Sequence, residues 1–217
     1  MGGSGYGGIT DLLSQNVAGS EELSESEARE RLEANPRDAE ALRALSTALQ
    51  ADGRIDEAIP PLNRYTLQRP ADTDALRELA GLYLGRADRY RTEAQLVQLE
   101  SAGDLSGLVF LPPSTTRLGE AYGQDPITEA LSTRVNTRLN TVFTGLQTAS
   151  NNAVATYKRL VKVLPEDSSV QLELAQAAEV GGDRTTALAA YRRFLELAPE
   201  DQNAGAIRER IKQLQSG

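Results

Sequence analysis

The sequence contains no cysteine and no histidine among its 217 residues. Without cysteine it forms no disulfide, thiolate metal site or cysteine nucleophile, and without histidine it lacks the commonest metal ligand and general base. The best remaining candidates for a small enzyme or ligand-binding domain, Tyr122 or Tyr157 beside Glu120, have no supporting spacing. We therefore expect no enzyme activity, no catalytic residue, no cofactor and no metal site.

Long apolar stretches and excess positive charge are also lacking. No run of 18 apolar residues is present, so we expect no segment that inserts into a membrane. The net charge of −8 argues against nucleic acid as a partner. We expect a cytoplasmic protein. Because the Gly-rich start, residues 1–21, is typical of a flexible linker, the alternative is the soluble portion of a protein tethered by a membrane anchor.

Four prolines form two pairs with the same interval. Pro36 and Pro70 are 34 residues apart, and Pro165 and Pro199 are again 34 residues apart. Each closes a similar phrase, such as Lys-Val-Leu-Pro or Glu-Leu-Ala-Pro. A proline ends a helix because it lacks the backbone N–H and restricts the residue before it. The spacing predicts repeated helical units.

The interiors of these units agree with each other. In the first unit Leu42, Leu45, Ser46 and Leu49 have helical spacing. Gly53 then suits a turn with positive φ, and the apolar stripe of a second helix follows. In the last unit Gly182 has the same place as Gly53. This pattern and its period resemble the tetratricopeptide repeat. Ser24 and Glu27 predict a capping box before the first unit, and Ile207, Ile211 and Leu214 predict a C-terminal capping helix.

The resemblance implies an all-α fold, an α-solenoid of helix pairs, and a protein or peptide as the partner. The middle unit is interrupted, because Pro70 and Pro165 are 95 residues apart instead of 34. Apolar residues at coiled-coil spacing continue into the additional residues from both ends. They predict a long projecting helical hairpin with arms near 73–102 and 126–164. Four segments are predicted: a Gly-rich flexible tail (1–21); a half repeat, the first full repeat and the first helix of the second repeat (22–87); the hairpin insertion (88–148); and the second helix of the second repeat, the third repeat and the capping helix (149–217).

The returning arm of the hairpin has no acidic residue between Glu129 and Glu166 and is rich in serine, threonine and asparagine. Such a depletion of charge suits a surface that becomes covered, because burial of an unpaired charge is costly. The alternative is a solvated, weakly charged helix face. The apolar segment 105–113 either folds back along the hairpin or docks on another chain. Our candidates for self-association are Val135, Leu139, Val142, Phe143, Leu146 and Phe110.

A concave groove is implied by the resemblance alone. Its candidate partner-binding residues are Arg43, Thr47, Gln50, Arg77, Gln176 and Glu179. The residues that a chaperone-tail carboxylate clamp requires are absent, and Glu78 and Glu173 would repel a carboxylate. Arg43 and Arg77 either hold an acidic group of a partner or pair with Glu40, Asp74 or Glu78 nearby.

These observations predict a non-catalytic scaffold for protein–protein interaction that self-associates through the hairpin as a homo-oligomer, with a dimer favoured. The alternative is a monomeric peptide-binding adaptor that uses the groove.

Overall fold

The computed structural model describes residues 23–106 and 126–216. Over these residues the chain forms eight α-helices and no strand. They are α1 Glu25–Ala34, α2 Ala39–Ala51, α3 Ile55–Gln68, α4 Thr73–Ser106, α5 Pro126–Val163, α6 Ser168–Val180, α7 Arg184–Leu197 and α8 Ala204–Ser216. The all-α fold predicted from the sequence is confirmed. The predicted Gly-rich tail, the hairpin tip and Phe110 lie outside the described residues.

Proline places the ends of four helices. Helices α1, α3, α5 and α7 each end two residues before Pro36, Pro70, Pro165 or Pro199. The intervening residue avoids the helical conformation, as steric contact with the proline ring requires. Asn35 has φ −137° and ψ 93°, and Ala198 has φ −137° and ψ 64°.

Side-chain caps and glycine define the remaining boundaries. Ser24 and Glu27 form the predicted capping box, in which the Ser24 hydroxyl accepts from the Glu27 N–H and Glu27 accepts from the Ser24 N–H. Gly53 and Gly182 have φ values of 74° and 72°, which carry the chain out of α2 and α6 at low steric cost. The predictions for these two turns are confirmed.

The described chain divides into two compact units between Tyr65 and Thr66, within α3. In the first unit Leu42, Leu49, Ala58 and Leu62 are buried. Two consecutive prolines, Pro60 and Pro61, lie inside α3. Each removes one backbone hydrogen bond from the helix. Packing must therefore stabilise α3 where its backbone hydrogen bonds are incomplete.

The second unit has a core built from α4 to α8. Leu160 and Val170 are fully buried, and the aromatic residues Tyr157, Tyr191 and Phe194 surround them. Small residues occupy the inner face of α6 because the neighbouring helices approach it closely. These are Ala175, Ala177 and Ala178, each fully buried.

Substitution by alanine is expected to have different effects on stability at two buried serines. The Ser46 Oγ donates to the Ala58 carbonyl at 3.0 Å, whereas the Ser150 Oγ has no hydrogen-bond partner. We expect Ser46→Ala to lower the free energy of unfolding by about 1 kcal/mol, and Ser150→Ala to leave it unchanged or raise it by up to about 1 kcal/mol. Urea denaturation followed by circular dichroism measures both. Equal losses for both variants would contradict the prediction.

Candidate functional site

Helices α4 and α5 pack against each other as an antiparallel pair in the second unit. They are the two long helices predicted near 73–102 and 126–164. Ala87, Ala94 and Val97 of α4 and Val142 and Ala149 of α5 are buried along the pair. The 3–4 spacing of apolar residues thus has the packing role that a coiled-coil seam has.

Two contacts fix the register of this pair. The Tyr90 ring lies directly over Gly145, so close that a Cβ on residue 145 would be 2.5 Å from the ring. The Arg138 guanidinium bridges Glu100 at 2.8 Å and Glu93 at 3.4 Å. All three ionic side chains are exposed by two-fifths or more, so the bridge adds little stability. The glycine contact is therefore the stronger determinant of register.

Several large apolar side chains of the pair remain exposed. Leu131 and Phe143 of α5 have exposures of 43% and 47%, and Leu96 and Leu99 of α4 have 51% and 70%. Leu96 and Leu99 are three residues apart, so they share one face of α4. Exposed apolar side chains that form a contiguous patch mark an interaction surface, whereas single ones are normal.

The predicted self-association residues have different positions in this pair. Val142 is buried, Val135, Leu139 and Leu146 are partly exposed, and Phe143 is nearly half exposed. Phe143 is thus the most accessible of the five described candidates. Leu96, Leu99 and Leu131 were not among the predicted residues, because nothing in their spacing separates an exposed leucine from a packed one.

The side of α5 that faces away from α4 carries threonine and asparagine. The hydroxyls of Thr137, Thr141 and Thr144 donate to the backbone carbonyls four residues earlier, at 2.8 to 3.0 Å. These hydroxyl donors are therefore used within the helix. With Asn140, the three threonines line a shallow depression on the surface of α5.

The predicted groove residues of the second unit make internal contacts. The Arg77 Nε lies 3.1 Å from both carboxylate oxygens of Glu173, and this interaction raises the pKa of Arg77. Glu173 is 96 residues away in sequence and was not among the predicted partners. Gln176 is exposed. In this arrangement Arg77 is already paired, so a ligand would have to compete with Glu173 for it.

Glu179 connects three helices. It accepts from the Tyr191 hydroxyl of α7 and from the Arg210 Nε of α8, the latter at 2.6 Å. Burial, and then the hydrogen bond with Glu179, raise the pKa of Tyr191. The side chain of Glu179 is mostly buried at this junction. Glu179 therefore holds the C-terminal helix in place and has little surface left for a partner.

In the first unit the three groove candidates lie on α2. The Arg43 guanidinium stacks over the Tyr65 ring at 5.8 Å, an attractive cation–π geometry. Thr47 is exposed, its hydroxyl donating to the Arg43 carbonyl at 3.1 Å, and Gln50 donates to the Ser46 hydroxyl at 3.1 Å. Thr47 is thus the most accessible of these three side chains.

Arg159 of α5 has a structural role that the sequence did not indicate. Its guanidinium donates to the Thr66 carbonyl at 2.7 Å, in the last turn of α3. Carbonyls at the end of a helix lack intrahelical donors, and a cation there is favourable. Burial lowers the pKa of Arg159.

Residues 23–106 and 126–216 hold no group of three carboxylate side chains suited to a metal ion. In that part of the chain no helix combines the length and the apolar content needed to cross a bilayer.

Comparison with solved structures gives only weak likenesses. TTC0263, described as a thermophilic TPR protein in Thermus thermophilus, is 20% identical over 88% of each chain, with a TM-score of 0.28. YrrB, described as a TPR protein with an unusual peptide-binding site, is 14% identical over 89% of this chain and 87% of that chain, with a TM-score of 0.28. MamA 41-end from Desulfovibrio magneticus RS-1 is 15% identical over 82% and 89%, with a TM-score of 0.27. At such TM-scores these likenesses carry no argument here.

Sequence comparison is more informative. No curated protein sequence matches the chain significantly. Residues 150–202 match the family described as Tetratricopeptide repeat. This range contains residues 150–163 of α5 and the whole of α6 and α7, where Pro165 and Pro199 show the 34-residue period. Proteins of this family generally mediate protein–protein interactions. Residues 150–202 of the chain thus contain a tetratricopeptide repeat.

Proposed function

We propose that this protein is a non-catalytic interaction scaffold that associates with a second copy of itself through α4 and α5. The observation that carries the proposal is the surface of this helix pair. It combines exposed apolar side chains, Leu96, Leu99, Leu131 and Phe143, with a stretch of α5 that has no acidic residue. Water-exposed helices normally carry glutamate and lysine, which favour the helix and keep it soluble.

A second copy fits this surface for an electrostatic reason. In a two-fold interface each surface meets itself, so a strongly charged face would repel its own image. The chain as a whole has a net charge of −8, yet residues 130–165 contain only five cations and no anion. Three of these cations, Arg138, Lys158 and Arg159, already have partners within the chain. This helix is therefore the part of the chain on which a like surface can be placed with little repulsion.

The groove is the weaker alternative. Its cation in the second unit, Arg77, is bonded to Glu173, and Glu179 is used at the α6–α7–α8 junction. A peptide-binding adaptor would need accessible groups at these positions. A monomeric mass in solution, together with peptide capture that depends on Arg77, would favour the adaptor over self-association.

The test is the absolute mass in solution by light scattering. The full chain is compared with one in which residues 88–148 are replaced by a short turn. We expect the full chain to form a dimer and the shortened chain to be a folded monomer. A helical circular dichroism spectrum and a cooperative thermal transition provide the folding control.

Substitution gives an independent version of the same test. Phe143→Ser removes the most exposed aromatic side chain of α5 and should weaken the dimer by about tenfold or more, because aromatic anchors dominate interface energies. Leu67→Ser is the matched control, since Leu67 is 65% exposed on α3, outside the helix pair. A monomeric full chain, or a dimer that survives removal of residues 88–148, would rule out the proposed function.

A further inference from the structure

Helix α6 covers only part of the α4–α5 pair on which it packs. Its last residue is Val180, and the chain then passes α5 so closely that a Cβ on Gly181 would be 3.1 Å from the Ser150 Cβ. The Gln147 amide reaches the Gly181 carbonyl at 3.4 Å. From Gln147 to Pro126, a length of about 32 Å at the helical rise, α5 extends past the end of α6. The side of the pair that faces α6 therefore continues beyond this helix.

Helix geometry identifies the residues on this continued side. Residues at intervals of seven share one side of a helix, because seven residues make nearly two turns. On α5, Phe143 and Asn136 continue this interval from Tyr157, which packs in the core with α6. On α4, Gln98 continues it from Leu84, which packs on the same core. We define the open face as six exposed or partly exposed residues: Gln95, Gln98, Ser132, Asn136, Leu139 and Phe143.

The open face differs in charge from the other side of the pair. On that other side Arg138 bridges Glu93 and Glu100 across the two helices. A step of two residues turns a helix by about 200°, so Gln95 and Gln98 point away from these glutamates. None of the six residues of the open face is charged. Such a surface can meet its own image without electrostatic repulsion.

We propose that two copies of this chain associate by stacking their open faces, with α5 antiparallel to α5 and α4 antiparallel to α4. This inference rests on the proposed function and specifies the surface and the orientation. An antiparallel stack places the α6 of each copy past the Pro126 end of the other copy's α5. A parallel stack would instead bring the two α6 helices into collision, because α6 lies on the same side of the pair as the open face.

The extent of the open face determines the position of the two-fold axis. On α5 the stretch beyond α6 runs from Pro126 to Gln147, and Asn136 is at its middle. The register of the α4–α5 pair places Gln98 level with Asn136. The two residues nearest the axis are thus carboxamides. Each carries donors and an acceptor, so it can pair with its own image, which a carboxylate or a guanidinium cannot do.

This arrangement also covers most of the exposed apolar side chains. Phe143 of one copy comes level with Leu131 of the other, on either side of the axis. Leu99, next to Gln98, lies at the edge of the open face beside its own image. Leu96 lies toward the opposite side of α4 and stays outside. Three of the four side chains that carry the proposed function are thus part of the contact.

The size of the surface predicts a reversible dimer. A strip of about 32 Å by two helix widths of about 10 Å has an area of roughly 600 Å² per copy. This area is below the roughly 800 Å² per partner of a standard stable interface. We therefore expect a dissociation constant in the micromolar range and a mass that falls on dilution.

The absence of cysteine in the natural sequence makes a disulfide test direct. Asn136→Cys, close to the two-fold axis, should form disulfide-linked dimers on oxidation, in about fivefold or greater excess over Thr141→Cys, because only facing residues reach disulfide distance. Thr141 is the matched control, since it is also exposed on α5 but points away from the open face. Ser132→Cys should stay at the control level, because the antiparallel stack separates it from its own image by about 12 Å along the helix. Intact mass identifies the products.

Light scattering on the same variants under reducing conditions separates the open face from the proposed function. Efficient disulfide formation by Ser132→Cys, with or without Asn136→Cys, would overturn the antiparallel register. A dimeric mass with no disulfide above the Thr141→Cys level would show that another surface associates, and would overturn the open face alone. A monomeric mass with no disulfide would overturn both the open face and the proposed function.

Discussion

Leu160→Ala is expected to lower the free energy of unfolding by about 2 to 5 kcal/mol, the range for a leucine removed from a closely packed core. Leu160 is fully buried in α5, within the cluster that contains Tyr157, Val170 and Phe194. The substitution removes apolar contacts and leaves a cavity that rigid neighbouring helices fill only in part. Urea denaturation followed by far-ultraviolet circular dichroism measures the loss, since the chain has no tryptophan to serve as a fluorescent probe.

The matched control is Leu99→Ala, which makes the same chemical change on a side chain that is 70% exposed. Its effect on the monomer should stay below about 0.5 kcal/mol. The comparison is made at a concentration where the protein is monomeric, because association would add to apparent stability. Similar losses for the two variants would contradict the burial of Leu160 described above.

The second large effect is expected at Gly145, and its sign depends on Tyr90. Alanine favours an α-helix over glycine by about 1 kcal/mol. In the natural protein, however, the new Cβ would be 2.5 Å from the Tyr90 ring, and displacement of a packed ring costs about 1 to 3 kcal/mol. Gly145→Ala should therefore be neutral or destabilising with Tyr90 present, and stabilising by about 1 kcal/mol in the Tyr90→Ala background.

A double-mutant cycle tests this coupling through the four unfolding free energies. Gly85→Ala is the control, because Gly85 lies in α4 with no atom within 4 Å of its added Cβ. It should stabilise the protein by about 1 kcal/mol whether or not Tyr90 is present. If Gly145→Ala stabilises both backgrounds equally, the Tyr90 ring does not pack on Gly145 in solution.

Local chemistry accounts for the parts of the fold that the sequence predicts well. Helix ends follow from Pro36, Pro70, Pro165 and Pro199, because each proline constrains its own neighbours in the chain. The turns at Gly53 and Gly182 follow from the conformational freedom of glycine, and the capping box from a three-residue spacing. The ends of α4 and α5 differ by four residues or fewer from the predicted arms at 73–102 and 126–164. All of these signals act over a few residues.

Contacts between distant residues account for what was missed. Nothing near Arg77 in the sequence indicates Glu173, and nothing near Arg159 indicates the Thr66 carbonyl. The Pro60–Pro61 pair even argues against the helix in which it lies, since only tertiary packing can offset two lost hydrogen bonds. Gly145 inside a helix was the one signal that could have indicated a close contact, although not its partner.

Because α5 is one continuous helix, a movement at one of its ends is transmitted to the other. One uninterrupted helix, Pro126–Val163, joins Thr133 to Leu160 in the core of the second unit, a distance of about 40 Å along its axis. A straight rod of that length turns a tilt of about 5° at Leu160 into a movement of roughly 3.5 Å at Thr133. A small tilt caused by repacking of a few core side chains would thus become a larger displacement at the far end of α5. A force applied at that end would, in turn, exert a correspondingly larger force on the core.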